Sequence, residues 1–163
     1  PDTQLVGRAA LDARGALIRR IDRGGGATAH GPGQLVVYPV VHLERLGLDV
    51  PRLTRALLDA AVDVAVDAGV ARDRLRAPLD PAGVYVDDAK LASIGMRVEH
   101  GVVTHGLAIN CVNDLSLFEL IAPCGISNQR MASLGAFAHG SSLIDHAERL
   151  AMHVARRCVL RWT

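Results

Sequence analysis

The chain has 163 residues and a formal net charge of +1, and half of its residues are hydrophobic while only 3% are aromatic. This length supports one domain with a core of Val, Leu, Ile and Ala, and no apolar run approaches the roughly 20 residues that span a bilayer. The near-balanced charge argues against nucleic-acid binding, and three cysteines exclude a fully paired disulfide framework and favour a reducing, cytoplasmic compartment.

The first third of the chain predicts strands around a glycine-rich loop. Pro1 to Arg14 show no clear periodicity, whereas Ala16 to Asp22 are typical of a strand. Residues 23–34, RGGGATAHGPGQ, contain five glycines and a proline and predict a loop. Leu35 to Val41 predict a strand, and Pro39 indicates an edge position or a bulge.

The rest of the chain predicts two helices separated by a strand meander. Apolar residues at helical spacing predict a helix from Pro51 to a stop at Gly69, followed by a connector over 71–81. A hairpin of Gly83–Val86 and Lys90–Val98 is expected next, then a third strand, Val102–Val112. A helical turn is expected at 116–121. A last helix, capped by Ser141 or Ser142 and running to about Leu160, has an apolar side that includes Ile144. This order predicts an α+β fold with a mainly antiparallel sheet and helices packed on one face.

Lys90 and Cys124 are the residues most indicative of chemistry. Lys90 is the only lysine, and it precedes an apolar run. Unlike arginine, lysine can lose its proton when it is desolvated. Cys124 lies between Pro123 and Gly125 in a segment without periodicity. An amine and a thiol can form a nucleophile–base pair, so we expect Lys90 and Cys124 to meet. A solvent-directed lysine and a packing cysteine are the alternatives.

The other candidate residues have weaker patterns. Cys111 follows an apolar strand and Cys158 lies on the apolar side of the last helix, so both are expected to be packing residues. The glycine-rich loop lacks the pattern of a P-loop or a dinucleotide fingerprint, which leaves a turn or a wall that lets backbone approach a substrate. His30 and His105 each precede a glycine; no partner has zinc-site spacing, and a hydrogen-bonding role in a pocket is expected instead.

Together these motifs resemble the lipoyl(octanoyl) transferase family. Residues 23–34 resemble its RGG-x-x-T-x-HGPGQ signature, and Gly83–Val86 with Lys90–Gly95 resemble its next block. His105–Asn110 resemble its HG-x-A-x-N strand, and Pro123-Cys124-Gly125 resembles its active-site turn. Four blocks in the same order cover roughly residues 18–135, which is more specific than any single block.

The resemblance implies a single domain over residues 1–163 with a mixed, mainly antiparallel sheet and flanking helices, like the catalytic domain of lipoate and biotin protein ligases. It implies transfer of an octanoyl group from octanoyl-acyl carrier protein to a lysine on a lipoyl domain of a 2-oxoacid dehydrogenase or glycine-cleavage protein. Cys124 would be the acyl-thioester nucleophile, and Lys90 would lower its pKa. The implied substrate contacts are Arg23, Gly24, Gly25, Gly26, Ala27, Thr28, Ala29, His30, Ser93, Ile94, Gly95, Gly106, Leu107 and Ala108.

No metal or nucleotide cofactor is expected, because a thioester is already activated. Four small aliphatic residues are candidates for an acyl channel, with packing as the alternative: Leu91, Ile94, Leu107 and Ile109. Ala29 stands where the family usually has an aromatic residue, and the family's first N-terminal elements are expected to be missing. The alternative function is a truncated, non-catalytic homologue that only binds acylated carrier protein or lipoyl domains. A third interpretation is an ATP-using ligase, against which the lack of a nucleotide-type loop argues.

Overall fold

A computed structural model describes Leu5 and residues 7–121, 129–137 and 142–158. Within these ranges, six strands form one sheet in the order β1-β6-β5-β4-β3, with β2 also paired to β6. The strands are β1 Gln34–Val37, β2 Val41–His42, β3 Leu75–Arg76, β4 Gly83–Val86, β5 Ala89–Glu99 and β6 Val102–Asn110. The helices are α1 Arg8–Ala13, α2 Val50–Asp67 and α3 Leu143–Cys158, with short 3-10 helices at Glu44–Leu46, Arg72–Arg74, Ser116–Leu120 and Leu134–Ala136. All pairs of these six strands are antiparallel, and one isolated parallel bridge joins Lys90 to Met131. The expected α+β class is therefore confirmed.

Two long helices cover one face of the sheet. The Asp49 side chain accepts a hydrogen bond from the Arg52 backbone N–H at 2.7 Å and caps α2, and Gly69, at φ +96°, follows its end. In α3, the backbone N–H of Ser142 donates to Asp145 Oδ2 at 2.8 Å, and the N–H of Asp145 donates to Ser142 Oγ at 3.2 Å. This reciprocal pair is a capping box, and it confirms the predicted Ser142 cap.

The main core lies between these helices and the sheet. Its buried residues come from α2, α3, β4, β5 and β6 and include Leu58, Leu150, Val84, Leu91 and Ile109. The two helices are also joined at their surface, since His153 Nε2 lies 3.0 Å from Asp67 Oδ2. Ile144 was expected on the apolar side of α3, but its side chain is 70% exposed, so that prediction is wrong.

The opposite face carries a smaller apolar cluster and the glycine-rich loop. Leu11 of α1 packs there with Phe118 and Ile121, and Ala27 and Ala29 of the loop lie against the same cluster. This burial holds α1 as a helix although the sequence of residues 1–14 shows no periodicity. The strand predicted for Ala16–Asp22 is absent, because no hydrogen-bond ladder among the described residues includes this segment.

Smaller differences concern the connector and the strand ends. The connector over 71–81 contains the two-residue strand β3, and the third strand of the meander ends at Asn110. The strand predicted for Leu35–Val41 is divided at Pro39 into β1 and β2, with β1 at one edge of the sheet, as the proline indicated. No helix in the described ranges combines the length and apolar character needed to cross a membrane.

Candidate active site

A pocket lies between the uncovered face of the sheet and the glycine-rich loop, and it holds about 340 Å³ of empty space, its open side included. Cross-strand register places Val36, Ala108 and Ser93 side by side on β1, β6 and β5, with Gly95 paired to Gly106 next to them. Residues directly opposite in an antiparallel pair share one face, so these five residues form the pocket floor.

Three residues of the glycine-rich loop form the pocket wall: Arg23, Thr28 and His30. The loop comes close to the sheet because the Gly24 backbone N–H donates to the Met96 carbonyl at 2.9 Å. A Cβ atom at Gly95 would lie 2.8 Å from the Gly24 carbonyl oxygen and 3.0 Å from Arg23 Cδ. Gly95 therefore provides the space in which the loop meets β5.

Nine of the fourteen expected substrate contacts line this pocket: Arg23, Thr28, His30, Ser93, Ile94, Gly95, Gly106, Leu107 and Ala108. The other five, Gly24, Gly25, Gly26, Ala27 and Ala29, lie in the same loop outside the lining. Ala27 and Ala29 instead pack against the apolar cluster around Leu11. Of the proposed acyl channel, Ile94 and Leu107 border the pocket, but Leu107 is only 1% exposed and packs in the main core together with the fully buried Leu91 and Ile109. Leu91 and Ile109 are thus packing residues.

A bulge directs Lys90 to the pocket face. Val84 pairs with Ala92, but the next residue of β4, Tyr85, pairs with Lys90, so β5 carries one extra residue at this point. Strict alternation would put Lys90 on the same face as Ala92, which is buried under the helices. The extra residue reverses this alternation, and Lys90 Nζ lies 5.5 Å from the centroid of the Tyr85 ring. A Cβ atom at Gly83 would lie 3.3 Å from Lys90 Nζ, and Gly83 pairs with Ser93 of the pocket floor.

The segment after Cys124 is paired with Lys90. The Lys90 backbone N–H donates to the Arg130 carbonyl at 2.7 Å, and the Ala132 N–H donates to the Lys90 carbonyl at 2.9 Å. Cys124 itself lies outside the described residues, in the range 122–128. Arg130 comes six positions after Cys124, so the chain can span at most roughly 20 Å between them.

A chain of polar side chains connects the loop to this segment. His30 Nδ1 and Gln34 Oε1 lie 2.6 Å apart, and Gln34 Nε2 donates to Asn110 Oδ1 at 2.9 Å. Asn110 Nδ2 then donates to the carbonyl of Ala132, the residue that bonds Lys90. Asn110 is 2% exposed, so its hydrogen bonds matter for stability. Gln34 and Asn110 were not predicted as site residues, although both are the final residues of motifs that the sequence displays.

His105 and Tyr38 line the pocket near Gly95 and Gly106. Their ring centroids lie 5.4 Å apart in an edge-to-face arrangement. His105 has φ +59° in the middle of β6, an unusual conformation for a residue other than glycine. Its Nδ1 atom is buried without a hydrogen-bond partner among the described residues. Backbone strain and an unsatisfied polar atom both suggest a functional role, in line with the pocket role expected for His105. Tyr38 and Val36 were not predicted, since only the register of β1 brings them to the pocket.

Two of the three thiols are packing residues, as predicted. Burial raises the pKa of the Cys111 thiol to about 11, and burial also raises the pKa of Cys158. Both are free cysteines in apolar surroundings and are poor nucleophiles near neutral pH. In the described ranges, no group of three or more His, Cys, Asp or Glu side chains is arranged to hold a metal ion.

Residues 1–155 match the family model of the lipoyl protein ligase A/B catalytic domain. The chain is 38% identical to an octanoyltransferase of Chromobacterium violaceum over 137 aligned residues, and the alignment covers 84% of this chain and 65% of that protein. It is 42% identical over 157 residues to an octanoyltransferase of Chloroflexus aurantiacus, covering 94% of this chain and 70% of the relative. The chain thus spans less than two thirds of the first of these relatives.

Solved structures share the fold at low sequence identity. A lipoate-protein ligase A bound with ATP superimposes with a TM-score of 0.69 at 17% identity, covering 93% of this chain and 63% of that chain. A biotin protein ligase from Aquifex aeolicus gives a TM-score of 0.58 at 12% identity, and the superposition covers 77% of this chain and 53% of the ligase chain. The expected likeness to ligase catalytic domains is confirmed for the fold.

Proposed function

The chain belongs to the family of lipoyl protein ligase A/B catalytic domains, and on that premise we propose that it is an octanoyltransferase of protein lipoylation. Relatives with that activity match most of the chain at 38% and 42% identity. The donor is octanoyl-acyl carrier protein, and the acceptor is a lysine on a lipoyl domain of a 2-oxoacid dehydrogenase or glycine-cleavage protein. This transfer is the first step of endogenous lipoylation.

In the first half-reaction, Cys124 becomes acylated. Lys90 takes the proton of the Cys124 thiol, and the thiolate attacks the thioester carbonyl of the donor. The carbon–sulfur bond to the carrier breaks, and Lys90 returns the proton to the departing carrier thiol. Thiol–thioester exchange is nearly balanced, because the bond that breaks and the bond that forms are both thioesters, and unperturbed thiols have similar pKa values near 8.5. Backbone N–H groups near Cys124 and the glycine-rich loop are the proposed donors to the oxyanion.

In the second half-reaction, the acceptor lysine amine attacks the octanoyl-Cys124 carbonyl. An amide bond forms and the bond to Cys124 Sγ breaks. Lys90 takes the proton that the amine loses and delivers it to the sulfur, which restores the starting enzyme. The thioester supplies the activation, so the proposed mechanism needs neither a nucleotide nor a metal ion.

The observation that carries the proposal is the position of Lys90 beside the pocket. The bulge in β5 brings its amine to Gly83, and Gly83 pairs with Ser93 of the pocket floor. The backbone of Lys90 holds residues 130 and 132, which follow the Cys124 segment. Apolar Val36, Ile94 and Ala108 line the pocket and suit an alkyl chain, so a thioester over Ser93 would extend its octanoyl group along the pocket.

Other residues are consistent with this role. We propose that Arg23, Thr28, His30, Ser93 and Gly106 contact the substrate, and that the remaining loop residues Gly24 to Ala29 shape the wall. We propose a cytoplasmic location, because Cys111 and Cys158 are free thiols, as a reducing compartment requires.

The decisive test is mass spectrometry after incubation with octanoyl-acyl carrier protein, without ATP. One octanoyl group should appear on Cys124, mapped by peptide digestion, and should move to an added lipoyl domain. Cys124→Ala should abolish the adduct, whereas the matched control Cys158→Ala should retain it. Lys90→Met should slow acylation by about 10² to 10⁴-fold, the usual contribution of a general base.

Three outcomes would contradict the proposal. An undiminished adduct in Cys124→Ala would exclude this nucleophile. Transfer that requires ATP would indicate a ligase. Binding of carrier protein or lipoyl domain without turnover, unaffected by Lys90→Met, would indicate the non-catalytic homologue instead.

A further inference from the structure

We propose that Gly83 and Tyr85 form a seat that positions the Lys90 amine for proton transfer, Gly83 by leaving space for the lysine side chain and Tyr85 by holding the ammonium over its ring. The proposal rests on the proposed function of Lys90. Neither residue is proposed to touch the reacting atoms, so both are positioning residues.

The first observation is the space above Gly83. A Cβ atom there would lie 2.6 Å from Lys90 Cε and 3.3 Å from Lys90 Nζ, and 2.9 Å from the Ala92 carbonyl oxygen. Gly83 is not among the residues with positive φ, so its backbone conformation does not require glycine. The lysine side chain occupies the volume that any other residue would fill. The absence of a side chain at Gly83 therefore leaves space for the Lys90 side chain as well as for the Ala92 carbonyl of the paired strand.

The second observation is the ring beneath the ammonium. Lys90 Nζ lies 5.5 Å from the centroid of Tyr85, within the range of a cation–π contact. The bulge makes Tyr85 the direct cross-strand partner of Lys90, and Tyr85 is only 7% exposed, so the ring is held firmly. A contact of this kind restricts a long, flexible side chain to one direction, which is what proton transfer over a hydrogen-bond distance requires.

The third observation is the support of the ring by β3. The Arg76 guanidinium carbon lies 5.6 Å from the centroid of the same Tyr85 ring. Arg76 is itself held by the Asp87 carbonyl at 2.7 Å and by Asp88 Oδ1 at 3.0 Å, both in the β4–β5 turn. The turn, β3 and β4 thus fix the ring that faces Lys90. This gives a role to the Asp87–Asp88 pair, which contacts arginine side chains at the surface.

The test combines kinetics with the pH dependence of Cys124 alkylation by iodoacetamide, mapped by mass spectrometry. Gly83→Ala should displace the amine by about an ångström and lower kcat by about 10²-fold, with KM for octanoyl-acyl carrier protein within about twofold. Its alkylation midpoint should move upward in the same direction as that of Lys90→Met. Tyr85→Leu should behave similarly, whereas Tyr85→Phe, which keeps the ring, should lose at least tenfold less activity than Tyr85→Leu. Val98→Ala, an exposed position at the far end of β5, is the matched control.

The results distinguish a failure of the positioning role of Gly83 and Tyr85 from a failure of the proposed function of Lys90. If Lys90→Met moves the alkylation midpoint but neither Gly83→Ala nor Tyr85→Leu does so, the seat is refuted and the proposed function stands. If Lys90→Met leaves both midpoint and turnover unchanged, the role of Lys90 fails and the seat with it. If Gly83→Ala does not fold, the comparison of Tyr85→Phe with Tyr85→Leu decides, and equal values for the two refute the seat.

Discussion

Replacing Gly106 with alanine tests whether the pocket floor depends on close contact between β6 and the end of β1. A Cβ atom at Gly106 would lie 2.6 Å from Pro39 Cδ and closer still to the Val37 carbonyl oxygen. Ordinary contact begins near 3.4 Å, so the chain after β1 must move away by about 1 Å. Neither a carbonyl group nor a proline ring can rotate out of the way.

We expect Gly106→Ala to lower the free energy of unfolding by about 1–3 kcal/mol, the usual cost of overpacking. Transfer should fall more steeply, by about 10²-fold, because the displaced segment carries Tyr38 and adjoins the pocket. Urea denaturation followed by circular dichroism measures the first effect, and mass spectrometry of acyl transfer measures the second.

The matched control for stability is Gly31→Ala. Apart from its two chain neighbours, no described residue has an atom within 4 Å of the position that a Cβ atom would take at Gly31, and its φ is not positive, so alanine should cost no stability there. If Gly106→Ala is as stable as Gly31→Ala, the close contact does not limit this position and the reasoning is refuted.

Three further predictions concern residues around the pocket. His105→Gly relieves a left-handed backbone conformation, which offsets the lost side-chain packing, so the free energy of unfolding should change by less than about 0.5 kcal/mol. Transfer should fall about tenfold, because a hydrogen bond from the His105 ring to the substrate would be lost. Equal free-energy losses in stability and in transfer would contradict a ligand-binding role. Asn110→Leu leaves the Gln34 side chain and the Ala132 carbonyl without their Asn110 partner. Urea denaturation should show that the free energy of unfolding falls by about 2–4 kcal/mol. A fall below about 0.5 kcal/mol would refute a stabilising role for this series of polar side chains. Burial raises the pKa of Cys111 to about 11, so the unfolded chain releases this proton first and stability should fall as pH rises from about 9 to 11. The fall should be smaller in Cys111→Ala, and an identical pH slope in both proteins would contradict it.

Much of the fold could be predicted from local patterns. Apolar residues at helical spacing identified α2 and α3, and the capping box at Ser142 and Asp145 follows from residue types three positions apart. The β4–β5 hairpin and β6 followed from apolar runs separated by turn residues. These signals are local, because hydrogen bonds and burial repeat every two or every 3.6 residues along one element.

Prediction failed where long-range packing decided the outcome. The helix α1 exists because Leu11 is buried against Phe118 and Ile121, more than a hundred residues away. Ala16–Asp22 have a strand-like composition but no ladder partner in the described ranges, and Ile144 is exposed although it follows the helical period. None of these facts can be seen in the local sequence.

The sequence by itself determined the family and the residue types of the site, because its four motif blocks are specific in their order. It singled out Lys90 but could not say to which face of the sheet its amine points. Only the tertiary structure decided that, through one extra residue in β5 opposite Tyr85. Strand alternation has a period of two, so a single inserted residue moves a side chain from the core to the pocket. The space over Gly83 and the hydrogen bonds of Asn110 likewise depend on strands that pair only in the folded chain.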